Sequence, residues 1–178
     1  FVQSAGTGTT TFTGPLNVNS SGATDLAITT SGVRFDGAVT VLNNGGVTIT
    51  NAGLLDINAG GNFNIQGAFL QNGAGTVDLS GDITTSEDNI TFTTAVTLTA
   101  IMALNTGAGI GDVTFMSTLN DDGGTSEQTI TITAGTGNID FQNSIGATRA
   151  PLGVTVVSAA SVDFDTTVAV HTNGLLVT

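Results

Sequence analysis

Apolar and polar residues alternate along most of this chain, but only in short pieces separated by turns. The stretch Thr129 to Phe141 shows the unit. Ile130 and Ile132 point one way and Thr129, Thr131 and Thr133 the other; Ala134 to Asn138 turn the chain; Ile139 and Phe141 then face inward again with Asp140 outside. Alternation with a period of two predicts short, half-buried β-strands. An apolar–polar–Phe (or aliphatic) motif recurs at Val33-Arg34-Phe35, Leu55-Asp56-Ile57, Val77-Asp78-Leu79, Ile90-Thr91-Phe92, Val113-Thr114-Phe115, Ile139-Asp140-Phe141 and Val162-Asp163-Phe164, and Phe12 fits the same position. Second short strands follow at 16–18, 39–41, 96–98 and 168–170, and third ones at 26–28, 47–49, 101–104, 130–132, 154–156 and 175–177. Among these, Ile101 to Leu104 is apolar throughout and does not alternate. Between the strands lie turn formers, among them Ser31-Gly32, Asn43 to Gly46, Ala59 to Asn62, Asn72 to Gly75, Gly107 to Gly111 and Asp121 to Gly124.

The motif's third residue falls at 12, 35, 57, 79, 92, 115, 141 and 164, giving spacings of 23, 22, 22, 13, 23, 26 and 23. A period near 23 with three short strands suits one coil of a β-solenoid, in which each coil buries its inward Val, Ile, Leu and Phe against the coils above and below. The 26 is accounted for by the polar insertion Asn120 to Gln128. The 13 breaks the phase: either the register is lost there or Val77 to Leu79 and Ile90 to Phe92 are different strands of one coil. The fold expected is therefore all-β, a parallel β-helix or β-solenoid of about 22–23 residues and three strands per coil, forming one segment over 1–178 with about seven coils and a rod of roughly 35 Å. Stacked phenylalanines are expected to fill one corner of it. A β-sandwich is the competing all-β fold, but sandwich modules repeat near roughly 100 residues.

Composition narrows the picture. The chain has 178 residues, 25 of them Gly and 33 Thr, with no Cys, Trp, Tyr or Lys. Arg34 and Arg149 alone oppose 14 acids, for a net charge of −12. Apolar residues make up 39%, enough to bury, which argues against disorder. The acidity argues against nucleic acid and against anionic membrane surfaces as partners, because almost no cation is available for phosphates. No apolar run approaches the roughly 20 residues of a membrane span. Without cysteine there is neither a disulfide framework nor a thiolate metal site. The chain opens in mid-pattern without Met, and is read as a piece of a longer repeat protein whose adjacent repeats are its nearest partners.

Several longer stretches carry a resemblance. Residues Gly67 to Gly75 with Gly81 to Thr85, Ala95 to Thr99, Thr131 to Phe141, and Pro151 to Val156 followed by Ser161 to Phe164 resemble the filamentous-haemagglutinin-like and autotransporter-like β-strand-repeat proteins of bacterial surfaces. The resemblance covers essentially the whole chain. It implies a right-handed parallel β-helix, export across the outer membrane to the cell surface or beyond, and a role as stalk, filament or adhesin. It transfers no catalytic residue.

Candidate chemistry is sparse. Polysaccharide-active β-helix enzymes need clustered carboxylates with a basic partner; here there is no Lys, the two Arg are 115 positions apart, and the single His171 sits in a polar turn. No enzyme activity is expected and no catalytic residue is assigned. If coils stack in register, Asp56 lies one coil from Asp78 and Asp140 one coil from Asp163, with Arg34 one coil before Asp56. Carboxylates about 5 Å apart repel, and the strain is relieved by solvent, by partial protonation or by a hard cation. Asp56, Asp78, Asp140, Asp163 and the acidic loop residues Asp121, Asp122 and Glu127 are thus the weak calcium candidates. None of them fits an EF-hand or an RTX-type nonapeptide. Solvated acids that keep a rod soluble are the plainer reading. The threonine rows could order water as ice-binding faces do, but they are irregular. The function expected is a structural spacer in a large secreted or cell-surface protein. The alternatives are an adhesin module for carbohydrate or protein and, behind it, a polysaccharide-active enzyme. Lateral or end-to-end self-association is open, with no contact face identified.

Overall fold

The structure is a computed structural model that describes residues 1–19, 24–124 and 128–178. Among the described residues it contains 22 short strands and no helix. They run in eight passes of the chain. The first comprises β1 (Val2–Gln3), β2 (Thr9–Phe12) and β3 (Leu16–Asn19); the second β4 (Thr24–Thr30), β5 (Gly32–Phe35) and β6 (Val39–Leu42); the third β7 (Gly46–Asn51), β8 (Leu55–Ile57) and β9 (Phe63–Ile65). Then come β10 (Phe69–Asn72), β11 (Val77–Leu79) and β12 (Ile83–Thr84); β13 (Ile90–Phe92), β14 (Val96–Leu98) and β15 (Met102–Asn105); and β16 (Val113–Phe115), β17 (Leu119–Asp121) and β18 (Thr129–Thr133). The seventh pass has β19 (Asn138–Phe141) and β20 (Gly153–Ser158), and the eighth β21 (Ser161–Phe164) and β22 (Gly174–Val177).

Each strand pairs in parallel with its counterpart one pass on, so three parallel sheets form the walls of a β-solenoid. Sheet A holds β1, β4, β7, β10, β13, β16, β19 and β21; sheet B holds β2, β5, β8, β11, β14 and β17; sheet C holds β3, β6, β9, β12, β15, β18, β20 and β22. In the last two passes sheet B shrinks to single bridges, Leu119 to Ile145 and Ile145 to Val168. Phe12 is the direct register partner of Phe35, and Phe141 of Phe164, so residues one repeat apart are hydrogen-bonded neighbours. Parallel pairing at this sequence separation rules out the sandwich.

The core is the tube's interior. Val33, Phe35, Leu55, Ile57, Val77, Leu79, Ile90, Phe92, Ile130, Ile132, Ile139 and Phe141 are all 0–1% exposed, as the alternation requires. Ile101 to Leu104 proves to alternate in space: Met102 and Leu104 point inward, while Ile101 projects from the preceding turn at 70% exposure. Corners are tight where glycine sits on glycine. A Cβ on Gly75 would collide with the backbone of Gly53, and one on Gly137 with that of Gly111, so coil spacing itself excludes a side chain there.

The 13-residue interval is resolved by the topology. Val77 to Leu79 is β11 in sheet B and Ile90 to Phe92 is β13 in sheet A, so the motif changes wall while the cyclic order of walls is kept. The phenylalanines follow, and this corrects the expectation of a single filled corner. Phe12 and Phe35 belong to sheet B, Phe63 to sheet C, and Phe69, Phe92, Phe115, Phe141 and Phe164 to sheet A. The rings still form one continuous spine, with successive centroids 4.9–5.5 Å apart from Phe12 to Phe164. All three walls face the same narrow interior, so a ring can be supplied from any wall as long as it meets the ring of the next coil.

Candidate functional site

The outward residue at the centre of each sheet B strand forms a row along the rod: Thr11, Arg34, Asp56, Asp78, Thr97 and Asn120 are successive register partners. Strand geometry puts Arg34, Asp56, Asp78 and Thr97 there, because each lies between two inward apolar residues, while Asn120, at the end of the row, is itself buried. Arg34 donates from Nε to Asp36 Oδ1 at 2.8 Å and from a terminal nitrogen to Asp56 Oδ2 at 3.1 Å. Asp56 is thereby paired, and Asp78 stands one coil further from the guanidinium. Its carboxyl is held above the ordinary carboxylate range, first by partial burial, then by the negative charge of Asp56, then by that of Asp122. The like-charge pair expected from the repeat is therefore present, and Asp122 joins its field.

The second pair is also in register: Asp140 of β19 neighbours Asp163 of β21 on sheet A. Asp140 Oδ2 accepts a hydrogen bond from Gln142 Nε2 at 2.8 Å. The two pairs lie on different walls, a consequence of the change of wall between 79 and 90.

The acidic loop is built around Asp121, which is 4% exposed. Its Oδ1 accepts from the Gly123 amide and its Oδ2 from the Gln128 amide, each at 2.7 Å, and Arg149 Nε approaches Oδ1 at 3.7 Å from the next coil. This carboxylate is committed to closing its own loop. Asp122 Oδ1 accepts from the Gly124 amide at 2.9 Å. Glu127 lies outside the described residues. Among the described residues, no group of three or more His, Cys, Asp and Glu side chains is arranged to hold a metal ion. His171 is exposed, and its backbone amide donates to the Pro151 carbonyl.

Other acids serve the corners. Asp82 takes the Ala103 amide at 2.7 Å while its own amide donates to Asn62 Oδ1, so Asn62, Asp82 and Ala103 form a ladder over three coils. Asn89, Asp112, Asn138 and Ser161 form another: the Asp112 amide donates to Asn89, the Asn138 amide to Asp112 at 2.7 Å, and Ser161 Oγ to Asn138. Asp36 also accepts from Asn58 Nδ2. The chemistry this arrangement supports is hydrogen bonding along the rod axis, with side-chain oxygens taking backbone amides, in turns and in strands, that the ladders leave over.

A buried polar ladder at the corner between sheets A and B escaped the sequence reading. Asn51 and Gln71 are fully buried. Gln71 Nε2 donates to Asn51 Oδ1 at 2.8 Å, and Asn51 Nδ2 donates to the Gly53 carbonyl at 2.6 Å. Gln71 Oε1 accepts from the amides of Thr93 and Thr94 at 3.1 and 3.3 Å. The signal was in the spacing: Gln71 is the register partner of Ile49 and Phe92, both inward. Beside this corner runs a shallow groove of about 260 Å³ lined by Ala5, Gly6, Ala52, Gly73 and Ala74 among others, and a second of about 270 Å³ lies by Arg34 and Asp56.

Comparison of the chain with protein-family models, with curated proteins and with solved structures finds no match.

Proposed function

We propose that this chain is a structural repeat segment, a rigid spacer within a large secreted or cell-surface protein of the bacterial stalk and filament kind. The observation that carries the reading is that core and corners are both continuous along the rod. The phenylalanine spine runs from Phe12 to Phe164 without a gap, and the corner carboxylates and amides are spent on holding one coil to the next. Such a coil transmits length and stiffness and is close to interchangeable with its neighbours. The acidic, lysine-free surface keeps rods from nonspecific association and offers trypsin only two cleavable residues.

Deletion of one whole coil tests this. Removing residues 90–112 joins Asn89 to Val113, whose register partner in the intact chain is Ile90. Asn89 then takes the place of Asp112 beneath Asn138. The expected product is a folded all-β rod, shorter by about 4.8 Å, with a cooperative melt by circular dichroism and the shorter length by small-angle scattering. An unfolded product would show that the coils are not modular units, and the spacer reading would fail with it.

A further inference from the structure

Three steps of the sequence read Asn-Gly: Asn44-Gly45, Asn72-Gly73 and Asn173-Gly174. Such a step can rearrange without an enzyme, because glycine has no Cβ to hold its backbone nitrogen away from the preceding side-chain amide. All three asparagines are exposed, so access to water does not separate them. Their hydrogen bonds do. The Gly45 amide donates to the Leu42 carbonyl and the Gly174 amide to the His171 carbonyl, each at 3.1 Å, which fixes both nitrogens in backbone turns. At the end of β10 the Gly73 amide donates instead to Oδ1 of Asn72 itself, at 2.6 Å. That oxygen is bonded to Cγ, so the nitrogen and the carbonyl carbon are already close neighbours. Asn143 and Ser144 share this contact at 2.8 Å, but there the second residue carries a side chain.

We propose that Asn72 is a site of spontaneous deamidation, the Asn-Gly step whose nucleophile and carbonyl the fold brings together. The Gly73 amide gives its proton to a base in solvent, and its nitrogen adds to Asn72 Cγ. The bond from Cγ to the side-chain nitrogen breaks, and that nitrogen leaves as ammonia with a proton from water. The product is a five-membered succinimide. Water then adds to one of its two carbonyls and cleaves the bond from that carbon to the Gly73 nitrogen. Opening at Cγ leaves aspartate. Opening at the backbone carbonyl leaves isoaspartate, with the chain running through the former side chain and one carbon longer. Either product adds a carboxylate. The longer backbone has no slack to enter. Gly73 is pressed on the neighbouring coil, where a Cβ would collide with the Asn51 carbonyl, and the Asn72 carbonyl accepts from buried Gln71 Nε2 at 3.3 Å. Isoaspartate at 72 therefore loosens the Asn51 and Gln71 corner from its exposed side. The inference does not depend on the spacer reading.

Ageing the folded 178-residue chain in mildly alkaline buffer tests this, with conversion of amide to acid mapped at each asparagine by peptic digestion and mass spectrometry. A parallel sample is aged in concentrated urea. In the folded chain Asn72 is expected to convert at least about fivefold faster than Asn44, Asn173 or Asn143. In urea the three Asn-Gly steps are expected to react at similar rates, because the turn bonds that separate them are gone. A folded chain in which Asn72 is no faster than the others overturns the proposal. So does one in which all three stay intact while the urea sample converts, because the fold then protects Asn72 as well. The effect on the corner is read from urea melts before and after ageing. The midpoint of the parent is expected to fall. That of Asn72→Gln, whose fold is checked by circular dichroism and whose cyclisation would need a slower six-membered ring, is expected to hold. A parent midpoint unmoved by conversion, or an equal fall in both chains, overturns the link to the Asn51 and Gln71 corner.

Discussion

The upper and lower halves of the rod solve the same packing problem differently. From Phe92 to Phe164 the rings come from one wall at one register position, and they lie flat on one another with interplanar angles of 14°, 4° and 1°. From Phe35 to Phe92 they come from three walls in turn, and the contacts are edge-on or tilted at 77°, 80° and 51°. Strict repetition thus produces stacking, a change of wall produces edge contacts, and Phe69 and Phe92, on one wall but at different register positions, meet at a tilt. Both geometries are favourable for aromatic pairs, which is why the spine can switch walls without leaving a gap. At the switch a polar side chain enters the ring column itself: Gln71 sits between Ile49 and Phe92.

The harshest way to break the upper half is a charge in the stack. Phe141 is 1% exposed between Phe115 and Phe164, so Phe141→Asp loses the ring and buries an unpaired carboxylate. A cost of about 5 kcal/mol or more is expected, since ring removal alone costs about 3–5 kcal/mol. Its neighbour Asp140 faces out, and Asp140→Asn is expected to stay within about 0.5 kcal/mol. Urea melts followed by circular dichroism separate the two, and equal effects would contradict the inward and outward assignment.

The lower half is better probed through its polar core. Gln71→Leu matches the apolar column in shape but strips partners from Asn51 Oδ1 and from the amides of Thr93 and Thr94. Thr93 Oγ1 is already buried without a partner. A loss of about 2–4 kcal/mol is expected from the stranded groups. If Gln71→Leu were neutral or stabilising, the ladder would be incidental filling and the two halves would differ only in ring geometry.

These two sites also mark what was legible in the sequence. Inward Phe141 and outward Asp140 could be read directly, because alternation with period two is local and a one-residue slip would expose every apolar side chain. The solenoid followed from the near-constant spacing, which coil stacking enforces. Gln71 was not read as inward because Phe69-Leu70-Gln71 reverses the usual order, with the apolar Leu70 half-exposed and the amide buried; only coil-to-coil register reveals it. The wall switch was visible as a 13-residue interval but not assignable, since all three walls use the same residue types. For the carboxylates, register placed Asp56 beside Asp78 and Asp140 beside Asp163, but not the partners of each. The backbone amides that bind Asp121 come from its own loop, whose conformation no spacing encodes, and those that bind Asp82 and Asp112 come from the next coil, Ala103 and Asn138, where the exact register decides the partner.

The mildest probe concerns the row on sheet B, where burial, Asp56 and Asp122 raise the Asp78 carboxyl above its ordinary value. A carboxyl with a raised folded-state pKa binds its proton more tightly folded than unfolded. Its contribution is therefore fully present below the unfolded value near 3.8 and is lost as pH rises through the higher folded value. At neutral pH the ionised group opposes folding. Asp78→Asn removes that opposition, so at pH 7 the variant should melt higher than the parent. Because the site is partly open to solvent, the gain is small, about 1 °C. On acidification toward pH 4 the parent should close the gap, because protonation does there what the amide does at every pH. Melting curves at pH 7 and pH 4 check both the sign and the convergence. A variant less stable than the parent at pH 7 would mean that the Asp78 carboxylate has a cationic partner in solution. The row would then be a cation-binding ladder and no longer merely a repelling one.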